Sequence, residues 1–146
     1  MGTDADAPPG AAPDGGTTHD QSREVARITA FSDGVFAIAI TLLALPLALP
    51  RGDGVEVWAE LQRLGPSFRS FCISFVVIGA YWIGHRGIFL LVERSDRRLL
   101  WLNLLLLFFI VLLPFTTSLV GEHGDQRIAV AVYALSVAGA GFAAVG

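Results

Sequence analysis

Apolar residues fill four long blocks of the chain, at about 30–49, 67–91, 99–120 and 128–146, separated by short polar connections. A helix of twenty residues, at 1.5 Å per residue, covers about 30 Å, the hydrocarbon thickness of a bilayer. The pattern therefore predicts an all-α, polytopic transmembrane helix bundle with four spans. In the first block the only charge is Asp33. A carboxylate near the mouth of a membrane helix is costly to leave facing lipid, so it calls for polar partners on neighbouring helices.

The connections carry their own signals. Residues 1–22 contain no large apolar residue after Met1 and are rich in Gly, Pro, Ala, Asp and Thr. Such a stretch cannot bury enough surface to fold and reads as a disordered tail ahead of a membrane domain at 23–146. It lacks the basic start and apolar core of a signal peptide, so the first span is expected to stay in the mature protein. Pro46 predicts a local bend in that span, because it removes a backbone donor and crowds the carbonyl of Leu42. The span closes at Pro50 and the turn-prone sequence RGDG at 51–54.

Residues 55–64, VEVWAELQRL, predict a short amphipathic helix with Val55, Trp58, Leu61 and Leu64 on one face, and Trp58 suits a membrane interface. Gly65-Pro66 breaks into the second span, ERSDRR (93–98) joins the second to the third, and GEHGDQ turns into the fourth. No polar stop follows the fourth span. A chain finishing at the membrane surface and a fragment of a longer polypeptide both fit that ending.

Composition sharpens the class. The chain has 146 residues, 53% of them hydrophobic and 16% charged, with a mean hydropathy of +0.61. The net charge of −3 comes largely from Asp4, Asp6, Asp14 and Asp20 in the tail, and the near-neutral remainder gives no footprint for nucleic acid. Every basic residue is an arginine. With the N-terminus inside, six arginines (23, 27, 86, 94, 97, 98) face the cytoplasm and four face out, which favours a cytoplasmic N-terminus in a multi-pass protein of the cell membrane. The lone Cys72 lies in an apolar span and reads as a small hydrophobe. No nucleophile elbow, Walker loop or GxGxxG is present, and His19, His85 and His123 are too scattered to share a metal. The TVGYG filter of ordinary potassium channels is also absent. An enzyme is not expected, and neither is a cofactor.

Antiparallel spans bring particular polar residues to one depth. The start of the first span holds Ser32 and Asp33, the end of the second holds Tyr81, Trp82 and His85, and the start of the third holds Asn103. Two readings fit: each residue tolerated singly at its helix end, or one connected network that satisfies Asp33. On the first span, Arg27, Phe31, Gly34, Ile38, Thr41 and Leu45 form a stripe spaced by fours and threes. Asp33 lies about 140° from Ile38 at 100° per residue and points elsewhere. The span is apolar all round, so periodicity cannot choose this stripe over its neighbours.

The segment RITAFSDGVFAIAITLL (27–43) resembles the R-x-x-x-F-S-D signature that opens the first helix of the endosomal and lysosomal potassium channel family, also called transmembrane protein 175. SFVVIGAYWIGHRGIF (74–89) and LNLLLLFFIVLLPFTTSLVG (102–121) are similar to its second and third helices. The resemblance implies a potassium-preferring homotetrameric channel in membrane lipid, with the first helix of each repeat lining the pore and K+ as the permeant ion. It places an apolar constriction at Ile38, further pore layers at Thr41 and Leu45, and a structural polar network of Arg27, Ser32, Asp33, Trp82, His85 and Asn103. The family repeat has six helices where four spans are present here, and a truncated sequence is the expected explanation. Two other classes fit four spans: a small proton-coupled transporter, which needs an acid nearer mid-membrane than Asp33, and a non-conducting membrane assembly protein.

Overall fold

The computed structural model describes residues 15–48, 56–89 and 97–145. Five α-helices follow in order: α1 (Gly15–Leu42), α2 (Val57–Arg63), α3 (Gly65–Phe89), α4 (Arg97–His123) and α5 (Arg127–Val145). No strand occurs among the described residues. Among the described residues, four segments are long and apolar enough to cross a membrane: Arg23–Leu47, Gly65–Ile88, Arg97–His123 and Arg127–Val145. The all-α, four-span bundle expected from the hydropathy blocks is the architecture observed.

Two boundaries differ from the pattern-based expectation. The backbone is helical from Gly15, inside the stretch expected to be a tail. Once a long apolar helix is nucleated, each residue added at its end gains a hydrogen bond for one residue fixed, so polar residues can extend it. Residues 1–14 of that tail, the turn at 50–54 and residues 93–96 of the polar connection lie outside the described residues. At the other end of the span, Pro46 does more than bend the helix. The α-helix stops at Leu42 and the chain tightens into a 3-10 turn at Leu45–Leu47. There Ala44 N–H donates to Thr41 O at 3.2 Å and Leu47 N–H to Ala44 O at 3.1 Å. A 3-10 turn needs no donor from a proline in its first positions, whereas a continuing α-helix would.

The central element is α4, which packs along α5, α3 and α1. Its buried side chains Leu106, Leu107, Ile110 and Leu113 form the middle of the core, with Phe36 and Ala39 from α1, Leu43 just past its end, and Ile78 from α3. The α5 face is built from small residues: Ala129, Ser136, Ala140 and Ala143 are buried. Between membrane helices there is little hydrophobic drive to associate, so close backbone approach and van der Waals packing carry the contact. At Gly139 the approach is closest, because a Cβ there would overlap the ring of Phe109 on α4. Gly139→Val is therefore expected to lower bundle stability by about 1–3 kcal/mol through overpacking, read as a fall in the thermal unfolding temperature in detergent. Gly79→Ala, where a Cβ meets open space, should leave it unchanged.

Pro114 sits inside α4 without ending it. The hydroxyls of Thr116 and Thr117 both donate to Leu113 O, at 3.2 Å and 2.6 Å. These are back-bonds to the carbonyl just before Pro114, of the kind serines and threonines make inside membrane helices; the acceptor that the proline itself leaves without a helical donor is Ile110 O.

Candidate pore helix and its polar brace

Ser32, Phe36 and Ala39 on α1 and Leu43 just past its end are buried, and they recur every three or four residues. That spacing defines one face, and it is the face docked on α3 and α4. On the other side lie the residues of the stripe. Phe31 is 58% exposed, Ile38 61% and Leu45 67%, and Arg27, Gly34 and Thr41 are exposed as well. The centre of the stripe lies roughly 140° around the helix from the centre of the docked face. Val76 and Ile83 on α3 are equally exposed, so exposure by itself marks membrane-facing surface. The α1 stripe differs in carrying an exposed hydroxyl, that of Thr41. Thr41 Oγ1 turns back to donate to Ile38 O at 2.8 Å, which satisfies the group without a partner from this bundle. Leu45 falls in the 3-10 turn, so it leaves the α-helical phase that links Phe31 to Thr41.

The rotation of α1 is held by polar contacts near one end of the bundle. Asn103 Nδ2 donates to Ser32 Oγ at 3.0 Å, and Ser32 Oγ donates in turn to Ile28 O at 3.0 Å. The Asn103 amide oxygen then faces His85, whose Nε2 donates to it at 2.8 Å. Ser32, His85 and Asn103 are all buried, so three helices share one chain of hydrogen bonds. A second tie runs beside it. Trp82 Nε1 donates to Asp33 Oδ1 at 2.7 Å, a charge-assisted bond of the stronger class. Arg86 lies over the Trp82 ring, 5.8 Å from its centroid, and the His85 ring lies 5.5 Å from that of Phe36.

Asp33, then, points neither into the core nor along the stripe; it projects toward α3. Of the residues expected in the network, Ser32, Asp33, Trp82, His85 and Asn103 meet. Arg27 does not: it is exposed and makes no hydrogen bond or ion pair to this cluster. Six residues before Asp33, it sits about 9 Å further along the helix, too far toward the end to join. Tyr81 also turns elsewhere, donating to Val137 O of α5 at 2.7 Å.

A second polar cluster ties the other half of the bundle. Thr117 Oγ1 lies 2.7 Å from Ser74 Oγ, and Ser74 Oγ lies 3.1 Å from Tyr133 OH, linking α4, α3 and α5. Nothing in the pattern of any one span singles these residues out. The available signal is a pair of threonines after Pro114 and a tyrosine within an apolar run.

Residues 27–114 match the profile of the family described as endosomal/lysosomal potassium channel TMEM175. The chain belongs to the TMEM175 family. The matched stretch contains the stripe and every member of the Ser32–Asn103–His85 and Asp33–Trp82 ties, and stops short of Thr117 and Tyr133. Among relatives, a potassium channel of Streptomyces collinus is 43% identical over 117 residues, which is 77% of this chain and 57% of that protein. The endosomal/lysosomal proton channel TMEM175 of Homo sapiens is 37% identical over 97 residues, 60% of this chain and 19% of that one. A solved structure, described as a lysosomal potassium-selective channel TMEM175 homolog from Chamaesiphon minutus, superposes with a TM-score of 0.76 at 41% identity, over 84% of this chain and 68% of that one. The chain thus spans a little over half the length of the bacterial TMEM175 relatives it matches. It is a membrane protein of a channel family.

Proposed function

We propose that this TMEM175-family chain contributes to a potassium-selective cation pore, with α1 of each of four identical copies turned toward a central axis. Ile38 forms the constriction, Thr41 the next layer, and Leu45 a collar at the end of the helix. The supporting observation is the division of α1 into two faces. One is docked through Ser32, Phe36, Ala39 and Leu43, while the Phe31–Gly34–Ile38–Thr41 face is left bare of any contact that would bury it. An apolar ring at Ile38 would set the barrier by dewetting, and its width and hydration would set the ion preference.

In this reading Ser32, Asp33, Trp82, His85 and Asn103 hold the helix in rotation and carry no ions. K+ is the permeant ion and not a cofactor, and the protein is not an enzyme. The excess of arginines on one side supports a cytoplasmic N-terminus in the cell membrane.

A second reading has a specific motive, since the vertebrate relatives are named proton channels. Proton passage needs a group able to exchange a proton along the path. The one acid in the apolar stretch of α1, Asp33, is bonded to Trp82 and lies off the stripe, which favours potassium. Ion flux from proteoliposomes separates the readings. Potassium efflux that is unaffected by an imposed proton gradient is the expected result. Proton uptake without potassium efflux would favour the second reading, and no flux of either ion would favour a non-conducting assembly protein.

A further inference from the structure

The short helix α2 is left without any protein surface to cover it. None of its residues is buried, and Val57, Trp58 and Leu61 are 60%, 67% and 52% exposed. At 100° per residue these three fall within about 100° of one another, while Glu56, Glu60 and Arg63 fall on the opposite side. There Arg63 pairs with Glu60 at 2.9 Å. The helix is amphipathic, with an apolar face that meets nothing in the fold.

Its relation to α3 decides what that face meets. Leu64 N–H donates to Glu60 O at 3.0 Å and Phe68 N–H to Leu64 O at 2.8 Å, so helical bonds flank the Gly65-Pro66 junction on either side. Val57, Leu61, Leu64 and Phe68 follow the spacing i, i+4, i+7 and i+11, and Phe68 on α3 is itself 56% exposed. The exposed apolar residues of α2 thus lead directly into the membrane-facing surface of α3. The Gly65–Ile88 segment has 24 residues, about 36 Å of helix, enough to cross the hydrocarbon core without help. The seven residues of α2 add roughly 10 Å, which brings the pair near the thickness of a bilayer with its headgroups, about 40–45 Å. Upright or tilted, α2 occupies the headgroup layer.

We infer that α2 is an interfacial anchor, its Val57–Trp58–Leu61 face set in the boundary between phospholipid headgroups and acyl chains at the membrane face where α1 ends and α3 begins. An indole suits that boundary, because its body is apolar and its N–H is wet. The Glu60–Arg63 pair faces water and headgroups. The anchor fixes the depth of α3, and with it the depth of Trp82 at the far end of the same helix.

Tryptophan quenching in proteoliposomes of the full chain tests this. The chain has three tryptophans, so the emission of Trp58 is the difference between the parent and Trp58→Phe. That component is expected to be blue-shifted, strongly quenched by phospholipids brominated close to the headgroup, less by lipids brominated near the chain end, and little by aqueous acrylamide. Leu61→Asp, at an exposed position outside the core, should shift it to the red and open it to acrylamide while the helical circular dichroism stays unchanged. Quenching by acrylamide and not by bromolipid would place α2 in water and overturn the inference. Quenching by neither would place Trp58 against a second copy of the chain, which overturns it equally.

Discussion

Asn103→Leu is expected to destabilise the bundle by about 2 kcal/mol, more than any other single loss in the polar brace. Hydrogen bonds between membrane helices average about 0.6 kcal/mol, so its two bonds, to Ser32 and His85, would account for about 1 kcal/mol on their own. The rest comes from weakening the hydrogen bonding of a buried polar residue, His85, whose Nε2 sits 2.8 Å from the amide oxygen that leucine lacks. That loss is on the scale of about 1–3 kcal/mol known for buried polar groups. Ser32 loses less, because its hydroxyl still donates to Ile28 O. Ser32→Ala should accordingly cost well under half as much as Asn103→Leu, in unfolding titrations that follow helix content in mixed micelles. Equal costs, or no cost at Asn103, would mean that three helices are not tied through its amide. Asp33→Ala removes the partner of Trp82 and is expected to reduce recovery of the proposed tetramer, measured by mass in native-like lipid, with little change in helix content.

Ile38→Asn carries the second large effect, on conduction. An amide at a dewetting constriction keeps water in the pore, so the barrier to ions falls and the preference for potassium over sodium weakens. Potassium efflux at a fixed protein-to-lipid ratio should rise several-fold, and single-channel recordings should show longer open periods. The same substitution at Ile83, which is 68% exposed on α3, should leave efflux unchanged, because that face meets lipid.

The sequence placed the members of the brace at one depth but left open whether they connect. Antiparallel spans fix depth, and at one depth a membrane leaves few polar groups to pair, so Ser32, Asp33, Trp82, His85 and Asn103 were candidate partners. Depth, however, says little about reach. Arg27 belongs to the same helix end but sits too far along it, and Tyr81 shares a face with His85 yet finds a carbonyl on α5. The Ser74–Thr117–Tyr133 cluster left almost no trace in the sequence. A serine or threonine in a helix can satisfy itself on its own backbone, as Thr117 also does on Leu113 O, so its role between helices shows only once their rotations are known. Hydropathy placed the spans but could not choose a face of α1. The proposed face came from the resemblance, and the docking of α1 supports it, because the chain buries Phe36, Ala39 and Leu43 and leaves Ile38 outside. The proline at 46 was visible as a disturbance. Its outcome, a 3-10 turn that takes Leu45 out of phase, depended on the turn offering a place where no donor is needed.

Thiol accessibility along α1 measures most directly whether ions pass the Ile38 face. Cys72 is exposed, so Cys72→Ser supplies the background, and single cysteines are placed at Ile38, Thr41, Ala39 and, on α3, Val76. With a water-soluble charged methanethiosulfonate reagent, modification of I38C and T41C should block potassium flux, and permeant ions should slow the reaction. A39C on the docked face should resist the reagent, and modification of V76C should leave the flux untouched. Block at Val76, or unimpeded flux after complete modification at Ile38 and Thr41, would contradict a pore lined by this face of the helix.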